Sequence, residues 1–222
     1  MNNFYYYNPT KIIFGKGMLP RITSELLDVQ KVLLLYGQGS IKKNGLYEKT
    51  LSVLHNASIS FVEFGGIEPN PDFNTALKAI ELVRKEGVDF ILAIGGGSVI
   101  DAAKFIALCA YSNDPWGVIT ATTPPPETIL SIGSVCTVPG SGSEMNNSFV
   151  LSKRSDIYKR PFSHIKLYPK FSLLDPENTY SLSKHQSALG IVDAFVHILE
   201  QYITYSVAAP LHERQSEAIL LT

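Results

Sequence analysis

The 222-residue chain has little cysteine, a single tryptophan and almost no net charge, and the shortages of cysteine and of charge each exclude something. Cys109 and Cys136 alone are too few for a disulfide scaffold and suit a reducing compartment. Basic side chains number 19 and acidic ones 20, so the basic surplus of a nucleic-acid binder is missing. Glycine, proline or charge interrupts every apolar run before the ~18–20 residues that a membrane span needs. The opening Met1-Asn2-Asn3-Phe4-Tyr5-Tyr6-Tyr7 has neither the basic nor the apolar region of a signal peptide. With 45% apolar and 18% charged residues, the composition is not that of a disordered chain. What remains is a globular protein, expected to be cytoplasmic, with no nucleic-acid or membrane partner. At ~100–200 residues per domain, the length suits one large domain, or one domain and part of another.

Strand-like and helix-like patterns alternate along the chain. Lys31–Tyr36 is an apolar run ending at Gly37, which predicts a strand buried on both faces. Leu46–Leu54 has helical spacing, and Ser58–Phe64 reads as a strand stopped by Gly65-Gly66. Ile67-Glu68-Pro69-Asn70-Pro71 reads as a loop, because two prolines remove backbone donors. An amphipathic helix is predicted over Phe73–Arg84, a strand over Asp89–Ile94 and a helix over Val99–Cys109. Thr120–Pro126 reads as a loop, Ser131–Val150 as strand and turn, and Phe171–Leu174 as a strand. Beyond Leu182 the texture becomes helical, over Lys184–Thr204 and again from Pro210 to Thr222. Alternation of this kind predicts a parallel sheet with helical crossovers over residues 1–180 and a helical portion over 181–222.

Three glycine-rich segments are candidates for binding. Gly95-Gly96-Gly97-Ser98 stands at a strand-to-helix junction, where free N–H groups and the helix dipole favour an anion such as a dinucleotide pyrophosphate. A plain turn is the lesser alternative for the tetrad, and Asp101 reads alternatively as a carboxylate placed favourably on the dipole. Gly37-Gln38-Gly39-Ser40 follows the earlier strand, but Lys42 holds the place of the third glycine of the dinucleotide fingerprint. That loop has no carboxylate, and Lys42 and Lys43 lie just beyond it, which tolerates a ribose 2′-phosphate; the lysines equally suit a solvated surface. Thr137–Glu144 mixes hydroxyls with glycines, as either a ribose and phosphate contact or an ordinary turn.

Asp193 and His197 lie four apart on one predicted helix face, among apolar neighbours, which predicts a largely buried pair. An oxygen and an imidazole nitrogen suit Fe²⁺, Zn²⁺ or Mn²⁺, although a local hydrogen bond accounts for the spacing as well. His55, His164, His185 and His212 do not repeat the spacing and are not expected to be ligands. Two donors fall short of the three or four protein ligands of a competent mononuclear site.

The order of these motifs resembles the iron-dependent (group III) alcohol dehydrogenases. It is carried by Gly95-Gly96-Gly97-Ser98-x-x-Asp101-x-x-Lys104, Gly140-Ser141-Gly142-Ser143-Glu144, Leu174-Asp175-Pro176 and Asp193-x-x-x-His197. Asn2-Asn3-Phe4, Phe14-Gly15-Lys16-Gly17, Phe64–Pro71, Asp114-Pro115-Trp116 and Val192–His197 are similar to the branch of NADPH-dependent aldehyde reductases and butanol dehydrogenases. The resemblance implies an α/β fold: a Rossmann-like, parallel-sheet dinucleotide domain (1–180) followed by the first helices of an all-helical, dehydroquinate synthase-like metal domain (181–222). It implies that Gly37, Gly39 and Ser40 lie by the adenosine ribose, and that Gly95, Gly96, Gly97 and Ser98 hold the pyrophosphate with Asp101 nearby. Thr137, Ser141 and Ser143 match the family's hydroxyl cluster, Ser141 replacing a more usual Thr, and Lys159 matches its nicotinamide-ribose lysine. Asp193 and His197 match the first two ligands of an Fe²⁺ or Zn²⁺ ion. Two further histidines follow later in the family, so the chain is expected to be its N-terminal half. NADP(H) is favoured over NAD(H), since NAD-using relatives commonly place Asp where Gly39 stands. The expected activity interconverts primary alcohols and aldehydes, in a homodimer, with no side chain marked out as a general base. A nucleotide-binding remnant without catalysis, or a sister-branch polyol dehydrogenase, are the alternatives.

Overall fold

In the computed structural model, residues 7–203 and 210–221 are described. The Asn2-Asn3-Phe4 motif lies outside them. Among the described residues there are eight strands, the first five of which alternate with helices. Six strands form one parallel sheet in the order β1-β8-β5-β4-β2-β3, where β1 is Lys11–Phe14, β2 Val32–Gly37, β3 Phe61–Ile67, β4 Phe90–Gly96, β5 Ser131–Val138 and β8 Phe171–Leu174. The remaining strands, β6 (Ser148–Lys153) and β7 (Tyr158–Ser163), pair antiparallel as a separate hairpin. The helices are α1 (Ile22–Glu25), α2 (Ser40–Lys43), α3 (Leu46–Asn56), α4 (Phe73–Glu86), α5 (Gly97–Cys109), α6 (Pro115–Ile119), α7 (Lys184–Ile203) and α8 (Pro210–Leu220).

Both faces of the sheet are covered, which is why its central strands are apolar without alternation. Successive side chains of β2 enter opposite cores. Leu33 and Leu35 pack with α4 and α5, whereas Val32, Leu34 and Tyr36 pack with α1 and α3. Ala102, Ala103 and Ala107 are fully buried, and their small size lets α5 lie close on the sheet. Asp72 caps α4 by accepting the Asn74 N–H at 2.9 Å, and Gly87 closes it in the left-handed conformation at φ 64°.

Three expectations are corrected. Strand β3 runs through Gly65-Gly66 to Ile67 instead of stopping there. The Tyr36 ring lies over Gly65, where a Cβ would come within 2.3 Å of it, and Gly66 (φ 94°) accommodates a register shift against β2. Helix α5 begins at Gly97 rather than Val99, so the glycine tetrad is half strand and half helix. Asp193 and His197 are not buried: their side chains are 51% and 53% exposed, because Ile191, Val192, Phe195 and Val196 around them are exposed as well.

Candidate functional site

Strand β2 lies between β3 and β4, so the chain leaving β3 must cross β2 to reach β4. The winding reverses between β2 and β4, and the crevice outside their carboxyl ends is where open α/β sheets bind ligands. Both glycine loops arrive there, Gly37-Gln38-Gly39-Ser40 from β2 and Gly95-Gly96-Gly97-Ser98 from β4. Val99 holds them together: a Cβ on Gly95 would meet its Cγ2 at 2.5 Å, and one on Gly37 at 3.6 Å. Gly96 stands at the N-cap of α5 with no side chain to cap it, which leaves first-turn N–H groups and the positive dipole end for an anion.

The loop between β5 and β6 closes over this helix end. A Cβ on Gly97 would lie 2.3 Å from Ser141 Oγ. Ser141 Oγ donates to Ser143 Oγ at 3.2 Å, and Ser143 Oγ donates to Asp101 Oδ1 at 2.8 Å. The second oxygen of Asp101 accepts the Val150 N–H at 2.9 Å, so its carboxylate is turned toward the loop and hairpin. Burial pushes the Asp101 carboxyl above its ordinary range, opposed by those two hydrogen bonds and by the Lys104 charge. Thr137 is buried near the end of β5, beside the start of the same loop.

Lys159 reaches across from the hairpin, its Nζ donating to Asn70 Oδ1 at 2.9 Å. The Asn70 N–H donates to Ser98 Oγ at 3.2 Å, and Arg154 donates to the carbonyls of Pro69 and Asn70. Asn70, in the left-handed region at φ 54°, thus ties Lys159 to the tetrad. The sequence reads as a proline loop here and, by resemblance, as a branch motif over Phe64–Pro71, but neither assigns Asn70 a role. The available signal was the residue type, since asparagine tolerates left-handed turn positions better than most residues.

Beyond Gly39 (φ 118°), Lys42 Nζ sits 5.1 Å and 4.5 Å from the ring centroids of Tyr36 and Tyr47. Both tyrosine hydroxyls donate to Glu63 Oε2, at 3.2 Å and 2.8 Å, and the Glu63 bond leads the causes that raise the Tyr47 pKa to about 12. The rings therefore hold Lys42 two residues beyond Ser40.

Asp193 Oδ1 and His197 Nε2 lie 3.6 Å apart on α7, too long for a direct hydrogen bond. The donor chemistry suits a borderline divalent metal, but among the described residues no three His, Cys, Asp or Glu side chains gather to hold one. The pair fits as two ligands of a larger set. Helix α7 meets the hydroxyl loop through two glycines: a Cβ on Gly190 would come 2.7 Å from the Pro139 carbonyl oxygen, and one on Gly140 3.4 Å from Asp193 Oδ2. The loop over the tetrad thus also borders the carboxylate of α7. Next to it is a cleft of about 320 Å³ lined by Pro139, Gly140, Thr179, Leu182 and Gly190 among others. A larger cleft of about 820 Å³ lies away from the tetrad, between α3 and residues 175–181. Its ionisable lining is Glu48, Asp175 and Glu177 against Lys49 alone, which disfavours a polyanion.

Comparison with known proteins agrees with this geometry. The family model for iron-containing alcohol dehydrogenase matches residues 9–176. The NADPH-dependent aldehyde reductase YqhD of Escherichia coli is 42% identical over 225 residues, covering 100% of this chain and 58% of that protein. A probable NADH-dependent butanol dehydrogenase of Bacillus subtilis is 41% identical, with 100% and 58% covered. The crystal structure of NADH-dependent butanol dehydrogenase A from Thermotoga maritima superposes with a TM-score of 0.94 at 39% identity, covering 99% of this chain and 56% of that one. The chain therefore spans well under two thirds of the length of these relatives, all of which are alcohol dehydrogenases or aldehyde reductases by name. By its matched residues, its sheet order and the glycine loops at its switch point, the chain belongs to the iron-containing alcohol dehydrogenase family.

Proposed function

We propose that the chain supplies the dinucleotide-binding part, residues 1–180, and the first two metal donors, on residues 181–222, of an oxidoreductase that interconverts primary alcohols and aldehydes. The observation that carries this reading is the meeting of both glycine loops and the hydroxyl loop at one switch-point crevice. In this reading the N–H groups around Gly95, Gly96, Gly97 and Ser98 hold the pyrophosphate, while Gly37, Gly39 and Ser40 leave room for the adenosine ribose. Ser141, Ser143 and Thr137 border the cofactor, and Lys159, steadied by Asn70, is placed toward the nicotinamide ribose. Asp193 and His197 offer an oxygen and a nitrogen to Fe²⁺ or Zn²⁺. When bound, the nicotinamide carries the hydride and the metal acts as a Lewis acid on the substrate oxygen. Association as a homodimer and a cytoplasmic location belong to the same proposal. No helix among the described residues is long and apolar enough to cross a membrane.

NADP(H) is favoured over NAD(H) because the loop after β2 has no carboxylate and Lys42 is held beside it. The names of the relatives include both cofactors, so this chain's own residues carry the preference. Lys42→Met keeps the stem against the two rings and removes the charge. NADPH affinity is then expected to fall about tenfold, roughly one charge-assisted bond, with NADH affinity unchanged. Calorimetric titration with both nucleotides checks it, and an equal loss for the two would remove Lys42 from the 2′-phosphate.

A second reading is nucleotide binding without catalysis, Asp193 and His197 having no third donor beside them among the described residues. Adding Fe²⁺ or Zn²⁺ with butanal and following NADPH oxidation separates the two. Metal-dependent oxidation supports the enzyme, whereas bound NADPH with neither bound metal nor turnover supports the second reading.

A further inference from the structure

Lys104 is a fully buried lysine that forms no ion pair within 4 Å among the described residues, and the reading above gives it no role. Its Nζ donates to Asn146 Oδ1 at 2.7 Å and to the Ser148 carbonyl at 2.8 Å, both at the far end of the hydroxyl loop. Asn146 Oδ1 also accepts from the Ser148 N–H at 3.0 Å, so the lysine closes a small buried network. On the sheet side of the loop, Ser172 Oγ donates to the Glu144 carbonyl at 2.6 Å and accepts from Ser134 Oγ at 2.7 Å. From the end of β5 to these fastenings the loop runs through Gly140 (φ 146°) and Gly142 (φ 67°) and has no strand pairing of its own. Side chains from α5 and β8 therefore substitute for a backbone ladder. Helix α5 also begins at the tetrad, so one rigid element carries both the cradle and the clamp on the loop that covers it.

We propose that Lys104, together with Ser172, is a positioning residue that fastens the loop 139–148 over the glycine cradle, and so sets nucleotide affinity without touching the nucleotide. This rests on the dinucleotide reading for its effect on affinity, but not for its effect on loop order. The cost of burying an ammonium is consistent with a role beyond packing, since an apolar side chain would fill the space at no such cost. Burial pushes the Lys104 pKa down to about 8, partly opposed by Asp101 on its own helix and by Glu144 from the loop. Above that pH the lysine keeps two N–H donors but loses charge assistance, so the clamp weakens as pH rises.

The test compares the wild-type chain with Lys104→Met and Asn146→Ala by hydrogen exchange and NADPH titration. Asn146 is a partly exposed loop residue, and its truncation leaves the core intact if the lysine variant fails to fold. Exchange over 140–147 without nucleotide is expected to rise about tenfold in both variants, and NADPH affinity to fall about tenfold. The wild-type dissociation constant is expected to rise a few-fold between pH 7 and 9.5, and that of Lys104→Met to stay flat. Folded variants with wild-type exchange over 140–147 overturn the proposal, as does wild-type affinity at every pH. Faster exchange in the variants, with no nucleotide bound even by wild type, supports the clamp and sinks the dinucleotide reading instead.

Discussion

Alanine at Gly97 is expected to weaken NADPH binding by at least about thirtyfold, close to 2 kcal/mol, while the thermal transition stays level or rises. The two effects have opposite signs because they act on different things. Gly97 is the first residue of α5 and does not need a positive φ, so a methyl group there reduces backbone entropy in the unfolded chain and suits a helix. The same methyl would lie 2.3 Å from Ser141 Oγ and 3.0 Å from Ser141 Cβ. The serine must move away, and the loop that covers the cradle moves with it. A phosphate oxygen also needs to approach the N–H groups to about 2.9 Å, which a projecting Cβ obstructs. Calorimetric titration beside a thermal melt checks both halves. A stable variant with unchanged affinity would falsify the placement of the pyrophosphate on this helix.

Phe171→Ala is expected to cost about 3–5 kcal/mol and to lower the melting temperature by about 10 °C. The ring is fully buried, stacks on Phe90 at 6.0 Å with an 11° interplanar angle, and lies over Gly133 on the neighbouring strand. A Cβ on Gly133 would meet that ring at 2.4 Å, so Gly133→Ala overpacks the same spot and is expected to cost about 1–3 kcal/mol. Because the two side chains compete for one volume, the double variant is expected to be little worse than Phe171→Ala alone. Denaturant unfolding of the three variants checks the coupling. Strictly additive losses would mean that the ring does not occupy the space above Gly133. The strand matters for the site too, since Ser172 follows Phe171 and holds the Glu144 carbonyl.

Much of this architecture was legible because buried parallel strands are unbroken apolar runs. Val32–Tyr36 and Phe90–Ile94 stood out, and the glycines after them marked the strand ends that became the crevice. Edge strand β1 was not legible, because Lys11–Phe14 is mostly exposed and carries no two-sided apolar signal. Helix α6 escaped as well, although Asp114 and Pro115 form an N-cap and first-turn pair. The reach of β3 through Gly65-Gly66 depends on Tyr36 of the neighbouring strand β2, which no local pattern reveals. Burial of Asp193 and His197 was inferred from apolar neighbours, but neighbours along a helix bury nothing unless another element covers them. Lys104 and Asn70 act through partners tens of residues away, so their roles became visible only with the fold.

The central claim is that a nicotinamide dinucleotide lies in the crevice between β2 and β4. Hydrogen exchange of the wild-type chain with and without saturating NADPH tests it most directly. The account predicts slower exchange over 37–40, 95–98 and 137–143, with 46–53 and 175–181 unchanged. Protection confined to the cleft of 46–53 and 175–181, with the glycine loops exchanging as before, would contradict it.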